Sequence, residues 1–370
     1  MAQIAKVEVL MVDLAPKVKR VDAIQWFVSQ ETPIVRITDA DGRVGTGYSY
    51  TIGTGGPAVI SLLRETLLPQ LIGRDAEDIE GIWRDLLFST HATAVGAITS
   101  LSLATIDTAL WDLRCVRAGL PLWKLAGGAK PSVPMYSTEG GWLHIDTTDL
   151  VSDALEMQAK GFAGSKIKIG KPTAAEDRAR LKAVREAVGD GYEILVDANQ
   201  AFALSEAMRR AEILAEFGIG WFEEPMPADD IGAHVRLTAA SRVPIAVGES
   251  MYSISQFKDY LAMGGCTIVQ ADVARVGGIT PWLKVAHMAE AFNVSICPHF
   301  LMELHVSLTC AVPNAPMLEY IPQLDDITTS RLDVRAGRAH APMAPGLGIA
   351  WDWDAIEARS ISDLSATIGG

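Results

Sequence analysis

Seven short segments between residues 164 and 320 decide the fold of this chain. They read GSKIKIG (164–170), LVDANQ (195–200), WFEEP (221–225), VGES (247–250), VQAD (269–272), CPHF (297–300) and MLEY (317–320). Each segment places a charged residue at or just after the end of an apolar run, and Asp197, Glu223 and Glu249 are spaced 26 residues apart. One charged residue per repeating unit, always at the same end, is typical of an active site built from the ends of parallel strands.

From Pro131 onward, short β-rich runs alternate with amphipathic helical patterns. The strands are expected to start near Val133, Gly164, Tyr192, Trp221, Pro244, Thr267, Val294 and Met317. Alternating strands and helices predict a parallel sheet with right-handed crossovers. Eight strands in about 190 residues favour a closed barrel. The alternative is an open doubly wound sheet, but that fold calls for a glycine-rich phosphate loop after the first strand.

The first third of the chain has a different pattern, with strands first and helices after. Strand patterns occupy residues 4–14 and the hairpin 33–50, and helical periodicity occupies residues 56–72, 76–88 and 94–117. We therefore expect an α+β capping domain at residues 1–130 and a barrel at residues 131–345. The tail, residues 346–370, is expected to pack back on the capping domain.

Composition and charge disfavour several classes of partner. The 370 residues are 49% apolar and 21% charged, which is ordinary for a globular protein. The net charge of -13 disfavours nucleic acid and anionic membrane surfaces as partners, because both need a basic face. No apolar run approaches the ~20 residues of a membrane span, and the N-terminus lacks a signal-peptide pattern. A small molecule is the expected partner.

The cysteines indicate a reducing compartment. Cys115, Cys266, Cys297 and Cys310 are dispersed, form no CxxC motif and lie in apolar surroundings. This usage predicts a cytoplasmic protein with buried, reduced thiols. Cys297 lies two residues before His299, so a nucleophilic role is an alternative, although packing is the favoured interpretation.

Three carboxylates predict a metal site. Asp197, Glu223 and Glu249 would converge at one barrel mouth, where a low dielectric strengthens their mutual repulsion. A hard divalent cation relieves this repulsion, and three carboxylate oxygens with water and substrate oxygens form an octahedral Mg²⁺ site. A salt bridge or a helix cap would explain one such acid but not three in register.

Two groups of basic residues predict proton transfer. Lys166 and Lys168 are separated by one residue, so both side chains point into the barrel, where a lysine beside a second cation has a depressed pKa and can act as a base. His299 and Asp272 follow neighbouring strands and form a second base with its orienting carboxylate. Glu319, if kept protonated, could donate a hydrogen bond to an oxyanion. Together they predict proton abstraction next to a carboxylate through an enediolate.

These motifs resemble those of the mandelate racemase subgroup of the enolase superfamily, and the resemblance extends to PGLGIAWDWD (345–354) near the end of the chain. It implies a (β/α)₇β barrel capped by an α+β domain, and a homo-oligomer between dimer and octamer. It also implies residue roles: Mg²⁺ ligands at Asp197, Glu223 and Glu249, acid/base groups at Lys168 and the His299–Asp272 pair, substrate carboxylate contacts at Lys166 and Glu319, and substrate proximity at Asn199.

Substrate choice in this subgroup depends largely on the capping-domain loops near residues 16–31 and 50–56. Mandelate racemase has a mostly apolar first loop, which suits a phenyl ring. This chain instead has Lys17, Lys19, Arg20 and Trp26 there. Basic residues suit a distal carboxylate or hydroxyls, as in the aldarate dehydratases of the subgroup. We therefore expect Lys19, Arg20 and Trp26 to contact substrate.

The expected reaction is dehydration of an acid sugar of the galactarate or talarate type to a 2-keto-3-deoxy acid. A racemase or epimerase of α-hydroxy acids is the alternative, because it uses the same catalytic set. A catalytically inactive homologue would lack Lys168 or His299, and both residues are present. A metal-dependent aldolase or hydrolase would not need paired lysines opposite a His–Asp pair.

Overall fold

The computed structural model describes residues 2–370 and begins with an α+β layer. Its strands are β1 (Ile4–Asp13), β2 (Arg20–Val21), β3 (Trp26–Phe27), β4 (Glu31–Asp39) and β5 (Val44–Tyr48). Its helices are α1 (Gly56–Leu62), α2 (Ile79–Ser89), α3 (Ala97–Ala118) and α4 (Leu122–Leu125). Strands β1, β4 and β5 are neighbours in one antiparallel sheet, and β4 and β5 form the hairpin predicted from the sequence.

The barrel follows from Ser132 onward. Its strands are β6 (Ser132–Ser137), β7 (Gly164–Lys168), β8 (Glu193–Asp197), β9 (Phe222–Glu223), β10 (Ile245–Val247), β11 (Ile268–Val269), β12 (Ser295–Ile296) and β13 (Leu318–Tyr320). The helices between them are α5 (Thr147–Ala159), α6 (Ala174–Val188), α7 (Leu204–Leu214), α8 (Ile231–Ala240), α9 (Ile254–Met263), α10 (Ile279–Ala291) and α11 (Met302–Ala311). Parallel pairing runs in chain order from β6 to β12, and β13 pairs with β6. The predicted (β/α)₇β barrel is confirmed.

The last segment returns to the beginning of the chain. It contains β14 (Asp333–Arg335), β15 (Arg338–His340), α12 (Trp353–Arg359) and β16 (Ala366–Gly369). Strand β15 pairs antiparallel with β6, and β16 pairs antiparallel with β1, where Ile368 lies opposite Val7. The tail thus completes the sheet of the capping domain, while the division at residues 130 and 345 stays a prediction.

Two segments differ from the sequence prediction. The region 16–31, expected to be a loop, contains the short ribbon of β2 and β3, in which Arg20 lies opposite Phe27. The helix expected at residues 56–72 is divided into α1, a π-helical turn at Leu63–Leu67 and a 3₁₀ turn at Leu68–Gln70. Pro69 lies in that last turn, and its missing N–H prevents continued α-helical hydrogen bonding there.

Helix α3 packs against the capping sheet at very short range. Gly47 of β5 faces α3, and a Cβ atom at that position would overlap with the backbone of Thr105 and Ala109. The alternating glycines of VGTGY (44–48) therefore allow the helix and the strand to approach each other. The same close approach brings α3 between the sheet and the barrel.

Helix α3 also joins the capping domain to the barrel through a buried carboxylate. Asp107 Oδ2 accepts a hydrogen bond of 2.9 Å from the backbone N–H of Thr280 in the first turn of α10, and Trp111 Nε1 donates to Thr280 Oγ1 at 2.9 Å. Among residues 2–370, Asp107 Oδ1 has no partner. Burial raises the pKa of Asp107 to about 7, although the hydrogen bonds from Thr280 oppose this shift.

Two further features of the structure concern its helices and its cysteines. None of the helices in the described part of the chain is long and apolar enough to cross a membrane. All four cysteines are buried and unpaired, as the sequence predicts. Burial raises the pKa of Cys297 to about 12, which disfavours the alternative of a nucleophilic thiolate.

The buried carboxylate at Asp107 predicts a pH-dependent stability. The pKa of Asp107 is raised from 3.8 to about 7 in the folded protein, so the protonated carboxyl stabilises the fold. This contribution to the free energy of unfolding is fully present below pH ~4 and is lost as the pH rises through ~7. Asp107→Asn cannot ionise, so its stability relative to the unchanged protein should increase over this range by a few kcal/mol, on the order of 1.4 kcal/mol per pKa unit. Denaturant unfolding at several pH values measures the difference.

The matched control is Asp85→Asn, which removes the same charge from a side chain that is 62% exposed. This control should show no comparable trend between pH 4 and 8. A stability difference between Asp107→Asn and the unchanged protein that is constant with pH would contradict the assignment.

Candidate active site

The charged residues predicted from the sequence meet at one mouth of the barrel. The strands are parallel, so their C-terminal ends lie at the same edge. The positions are Lys166 and Lys168 in β7, Asp197 at the end of β8, Glu223 at the end of β9, Glu249 after β10, Asp272 after β11, His299 after β12 and Glu319 in β13. All of these side chains are buried.

Backbone strain is concentrated at the same mouth. Among residues 2–370, seven non-glycine residues have positive φ, and five of them lie within five residues after the end of β8, β9 or β12. They are Asn199 (φ 43°), Gln200 (65°), Glu224 (37°), Phe300 (60°) and Leu301 (25°). Residues in this region of conformational space often mark functional sites, because the surrounding structure has to hold them there.

The three predicted metal ligands are close together. Asp197, Glu223 and Glu249 each offer a carboxylate oxygen, and these oxygens lie within 4.8 Å of one another. Glu223 Oε2 accepts hydrogen bonds from Gln270 Nε2 at 2.7 Å and from Trp221 Nε1 at 3.0 Å. Burial and the charge of Asp197 raise the pKa of Glu223 to about 7. The repulsion expected among converging carboxylates is therefore present.

The donor set fits a hard divalent cation. All three groups are carboxylates, which suit Mg²⁺ better than softer metals. Glu249 Oε2 is buried and forms no hydrogen bond with any described residue, although His299 Nε2 lies 3.3 Å away. Asn199 Oδ1 is a second buried acceptor without a partner in residues 2–370. Such acceptors need a cation or donors such as water or substrate hydroxyls.

The two lysines are held by these carboxylates. Lys166 Nζ lies 2.8 Å from Glu223 Oε1, 2.9 Å from Glu319 Oε1 and 3.7 Å from Asp197 Oδ2. Lys168 Nζ forms an ion pair with Asp197 Oδ2. The expectation of a depressed lysine pKa is wrong for this arrangement: burial lowers the pKa of Lys168, but the charges of Asp197, Glu249 and Glu223 together outweigh burial and raise it.

His299 and Asp272 form the predicted pair. His299 Nδ1 lies 2.9 Å from Asp272 Oδ2, and its Nε2 faces Glu249. Asp272 Oδ1 accepts the backbone N–H groups of Ala274 at 2.8 Å and Arg275 at 3.2 Å. Burial opposes ionisation of Asp272, but the hydrogen bond from His299 and its charge lower the pKa to about 2. The ionised Asp272 thus holds a proton on Nδ1 and leaves Nε2 for chemistry.

Glu319 is ionised rather than protonated in this arrangement. Its Oε1 accepts from Thr138 Oγ1 at 2.5 Å, and its Oε2 accepts from the backbone N–H of Phe300 at 2.7 Å. Burial favours the neutral acid, but the charges of Lys166 and His299 and these hydrogen bonds hold the pKa of Glu319 well below its ordinary value. The sequence did not reveal how many donors surround this carboxylate.

A small cavity lies among these residues. Barrel residues on its wall include both lysines, Asn199, Glu249, His299 and Glu319. The capping domain contributes Gln25, Phe27 and Ile52. The site is therefore built from both domains, as expected for the loops near residues 16–31 and 50–56.

The three substrate-contact candidates of the first loop do not line this cavity. Arg20 is buried nearby, but it donates to Gln323 Oε1 and Pro322 O, each at 3.1 Å, and pairs with Glu139. Lys19 Nζ lies 5.2 Å from the ring centroid of Trp26, and that ring is 61% exposed. The structure thus brings Gln25 and Phe27 of this loop to the catalytic set instead.

Several site residues were absent from the sequence prediction. Gln270 precedes Asp272 by two residues on the same strand run, so strand alternation could have identified it as inward-facing. Arg275 lines the cavity, and its Nη1 donates to the backbone oxygen of Glu249 at 3.1 Å. Tyr50 donates to Asp272 Oδ2 at 2.6 Å, and no sequence pattern indicates this contact because it depends on how the two domains meet.

Comparisons with known proteins agree with this geometry. L-talarate/galactarate dehydratase of Salmonella typhimurium is 37% identical over 315 residues, which cover 85% of this chain and 79% of the relative. 3,6-Anhydro-alpha-L-galactonate cycloisomerase of Streptomyces coelicolor is 37% identical over 322 residues, which cover 86% of this chain and 89% of the relative.

A solved structure gives the same result. The crystal structure of L-talarate dehydratase from Polaromonas sp. JS666, complexed with Mg and L-glucarate, superposes with a TM-score of 0.94 at 34% identity. The match covers 100% of this chain and 99% of that protein. Mg²⁺ is therefore the cofactor that both the donor set and a similar structure support.

Family assignments cover both parts of the chain. Residues 6–127 match the N-terminal domain of the mandelate racemase / muconate lactonizing enzyme family, and residues 149–355 match the enolase C-terminal domain-like family. With its capped (β/α)₇β barrel and its three strand-end carboxylates, the chain belongs to the mandelate racemase / muconate lactonizing enzyme family of the enolase superfamily.

Proposed function

We propose that this protein is an Mg²⁺-dependent acid-sugar dehydratase acting on an aldarate of the galactarate or talarate type. The observation that carries the proposal is the position of two acid/base groups on the carboxylate triad. Lys168 Nζ pairs with Asp197, whereas His299 Nε2 lies 3.3 Å from Glu249. The two groups therefore flank the triad at different carboxylates, as removal of a proton and expulsion of a hydroxyl require.

Lys166 and Glu319 bind the substrate carboxylate. The ammonium group of Lys166 already bridges Glu223 and Glu319, and it neutralises part of the charge that the substrate adds. A second anion next to Glu319 raises the pKa of this acid, which favours the protonated form that donates a hydrogen bond. When bound, Mg²⁺ supplies Lewis-acid stabilisation of the enediolate and takes up carboxylate charge that otherwise keeps Lys168 protonated.

The proton transfers then use the remaining residues. One of the two groups, Lys168 Nζ or His299 Nε2, takes the proton from the carbon next to the carboxylate, and an enediolate forms. A protonated acid/base group returns a proton to the β-hydroxyl, which leaves as water while the carbon–oxygen bond breaks. The resulting enol tautomerises to a 2-keto-3-deoxy acid. Asp272 remains ionised throughout and keeps the imidazole oriented.

A racemase or epimerase of α-hydroxy acids is the second candidate. The same two opposed groups would exchange the proton on either face of the α-carbon, with no leaving group. The dehydratase is favoured because Salmonella and Polaromonas relatives named for talarate or galactarate dehydration match 85% or more of this chain. A screen of acid sugars with keto-acid detection, run beside polarimetry on α-hydroxy acids, separates the two candidates.

We also propose a homo-oligomer, between dimer and octamer, in the cytoplasm. The resemblance to the subgroup supports the assembly, and four buried, unpaired cysteines support a reducing compartment. Light scattering after gel filtration should give a multiple of 39.7 kDa. A monomer at all concentrations would contradict the proposed assembly.

Removal of the metal or of one ligand should abolish turnover. Glu223→Gln removes a ligand charge while it keeps the shape of the side chain, so we expect activity to fall by at least about 10³-fold and Mg²⁺ affinity by about 10-fold or more. Keto-acid release and calorimetric Mg²⁺ titration measure the two effects.

The matched control for the ligand is Glu216→Gln, because Glu216 is an exposed partner of Arg178 on the barrel surface. This variant should bind Mg²⁺ and turn over like the unchanged protein. Full activity of the unchanged protein after exhaustive EDTA treatment would contradict a metal-dependent reaction.

Loss of one acid/base group should leave exchange on one face of the substrate. In D₂O, His299→Asn should lower the rate of dehydration by about 10²-fold or more. It should retain α-proton exchange for the stereoisomer whose proton faces Lys168. Lys168→Met should retain α-proton exchange only for the stereoisomer whose proton faces His299. Proton NMR of the substrate follows the exchange. Equal loss of exchange for every stereoisomer in both variants would argue against two separate bases.

A further inference from the structure

Tyr50 is a buried phenol of the capping domain that contacts the His–Asp pair of the barrel. It follows β5, is 2% exposed, and donates from its hydroxyl to Asp272 Oδ2 at 2.6 Å. The hydroxyl lies 3.5 Å from His299 Nδ1, and the ring packs against Phe300 with centroids 4.6 Å apart. None of the proposed steps above uses this residue.

The hydrogen bonds of Asp272 show what Tyr50 does. Oδ1 is held by the backbone N–H groups of Ala274 and Arg275. Oδ2 has only two donors among the described residues, namely the Tyr50 hydroxyl and His299 Nδ1. Burial raises the pKa of Tyr50 well above its ordinary value, so the phenol stays protonated and donates. Without the Tyr50 hydroxyl, His299 Nδ1 would be the one donor to Asp272 Oδ2 that remains among the described residues.

We propose that Tyr50 is a positioning residue for His299, acting through Asp272. Its hydroxyl fixes Oδ2 in the plane where the imidazole Nδ1–H donates, and this orientation directs Nε2 toward Glu249 and the cavity. The phenol exchanges no proton with substrate. The inference rests on the proposed function, in which His299 Nε2 is one of the two acid/base groups, and it makes docking of the capping domain a condition for that group's alignment.

Tyr48, the last residue of β5, provides a matched control. It lies two residues before Tyr50, is 1% exposed, and has a hydroxyl without a partner in the described part of the chain. Its ring packs edge-on against Trp351, with centroids 5.5 Å apart, and this contact does not need the hydroxyl. Tyr50→Phe and Tyr48→Phe therefore remove the same atom from two buried rings, of which only the first donates to Asp272.

Steady-state kinetics of the holoenzyme with Mg²⁺ test the proposal. Tyr50→Phe should lower kcat for dehydration by about 10- to 100-fold, as loss of an orienting partner typically does, with KM changed by less than about 2-fold. Exchange of the stereoisomer served by Lys168 should persist at the rate of the unchanged protein. Tyr48→Phe should match the unchanged protein throughout. Equal kcat for the two variants, or equal loss of exchange for both stereoisomers in Tyr50→Phe, overturns the proposal.

A second measurement does not depend on turnover. In protein labelled with ¹⁵N-histidine, the Nδ1–H signal of His299 is identified by its disappearance in His299→Asn. Tyr50→Phe should shift this signal and accelerate its exchange with water, whereas Tyr48→Phe should leave it unchanged. If the unchanged protein dehydrates no acid sugar, the proposed function fails while this signal still tests Tyr50. An identical signal in all three proteins overturns the positioning role.

Discussion

The arrangement of this protein depends on the repulsion among carboxylates at the barrel mouth. Asp197, Glu223 and Glu249 come from three strands, and the parallel hydrogen bonding of those strands keeps the acids together despite their charge. Lys166 and Lys168 offset part of this charge. Burial of unpaired carboxylates costs several kcal/mol each, so the site is stable only with closely packed cations. This shortage of positive charge favours binding of a divalent cation such as Mg²⁺ among the three carboxylates.

The capping domain completes this mouth because α3 holds it against the barrel. Asp107 on α3 caps α10, and the glycines of β5 let α3 lie directly on the sheet. The end of that sheet then brings Tyr50 to Asp272 and Ile52 to the cavity. Side chains of both domains thus line the mouth. Their alignment follows from packing far from the chemistry.

Features that follow from the periodicity of the sequence were predicted correctly, whereas features that depend on tertiary contacts were missed. Each barrel strand begins within one residue of its predicted start, because apolar runs and strand-end charges recur in register. The ionisation of Lys168 and Glu319 depends instead on several neighbours brought together by folding, so the expected depression of the Lys168 pKa was wrong and the sequence did not determine the charge of Glu319. The charge of Arg20 suggested a contact with substrate, but its guanidinium group instead donates hydrogen bonds to Gln323 Oε1 and Pro322 O. Residue type therefore indicates chemistry, while partners determine the charge state.

The hydrogen bonds around Glu223 have a consequence for the choice of ion. Gln270 and Trp221 both donate to Oε2, and Lys166 Nζ donates to Oε1 at 2.8 Å, so both oxygens of this carboxylate already have partners. Coordination by a single oxygen suits the small octahedral shell of Mg²⁺, whereas Ca²⁺ takes six to eight ligands and often both oxygens of a carboxylate. Coordination through both oxygens of Glu223 would break the two buried hydrogen bonds that Gln270 and Trp221 donate to Oε2.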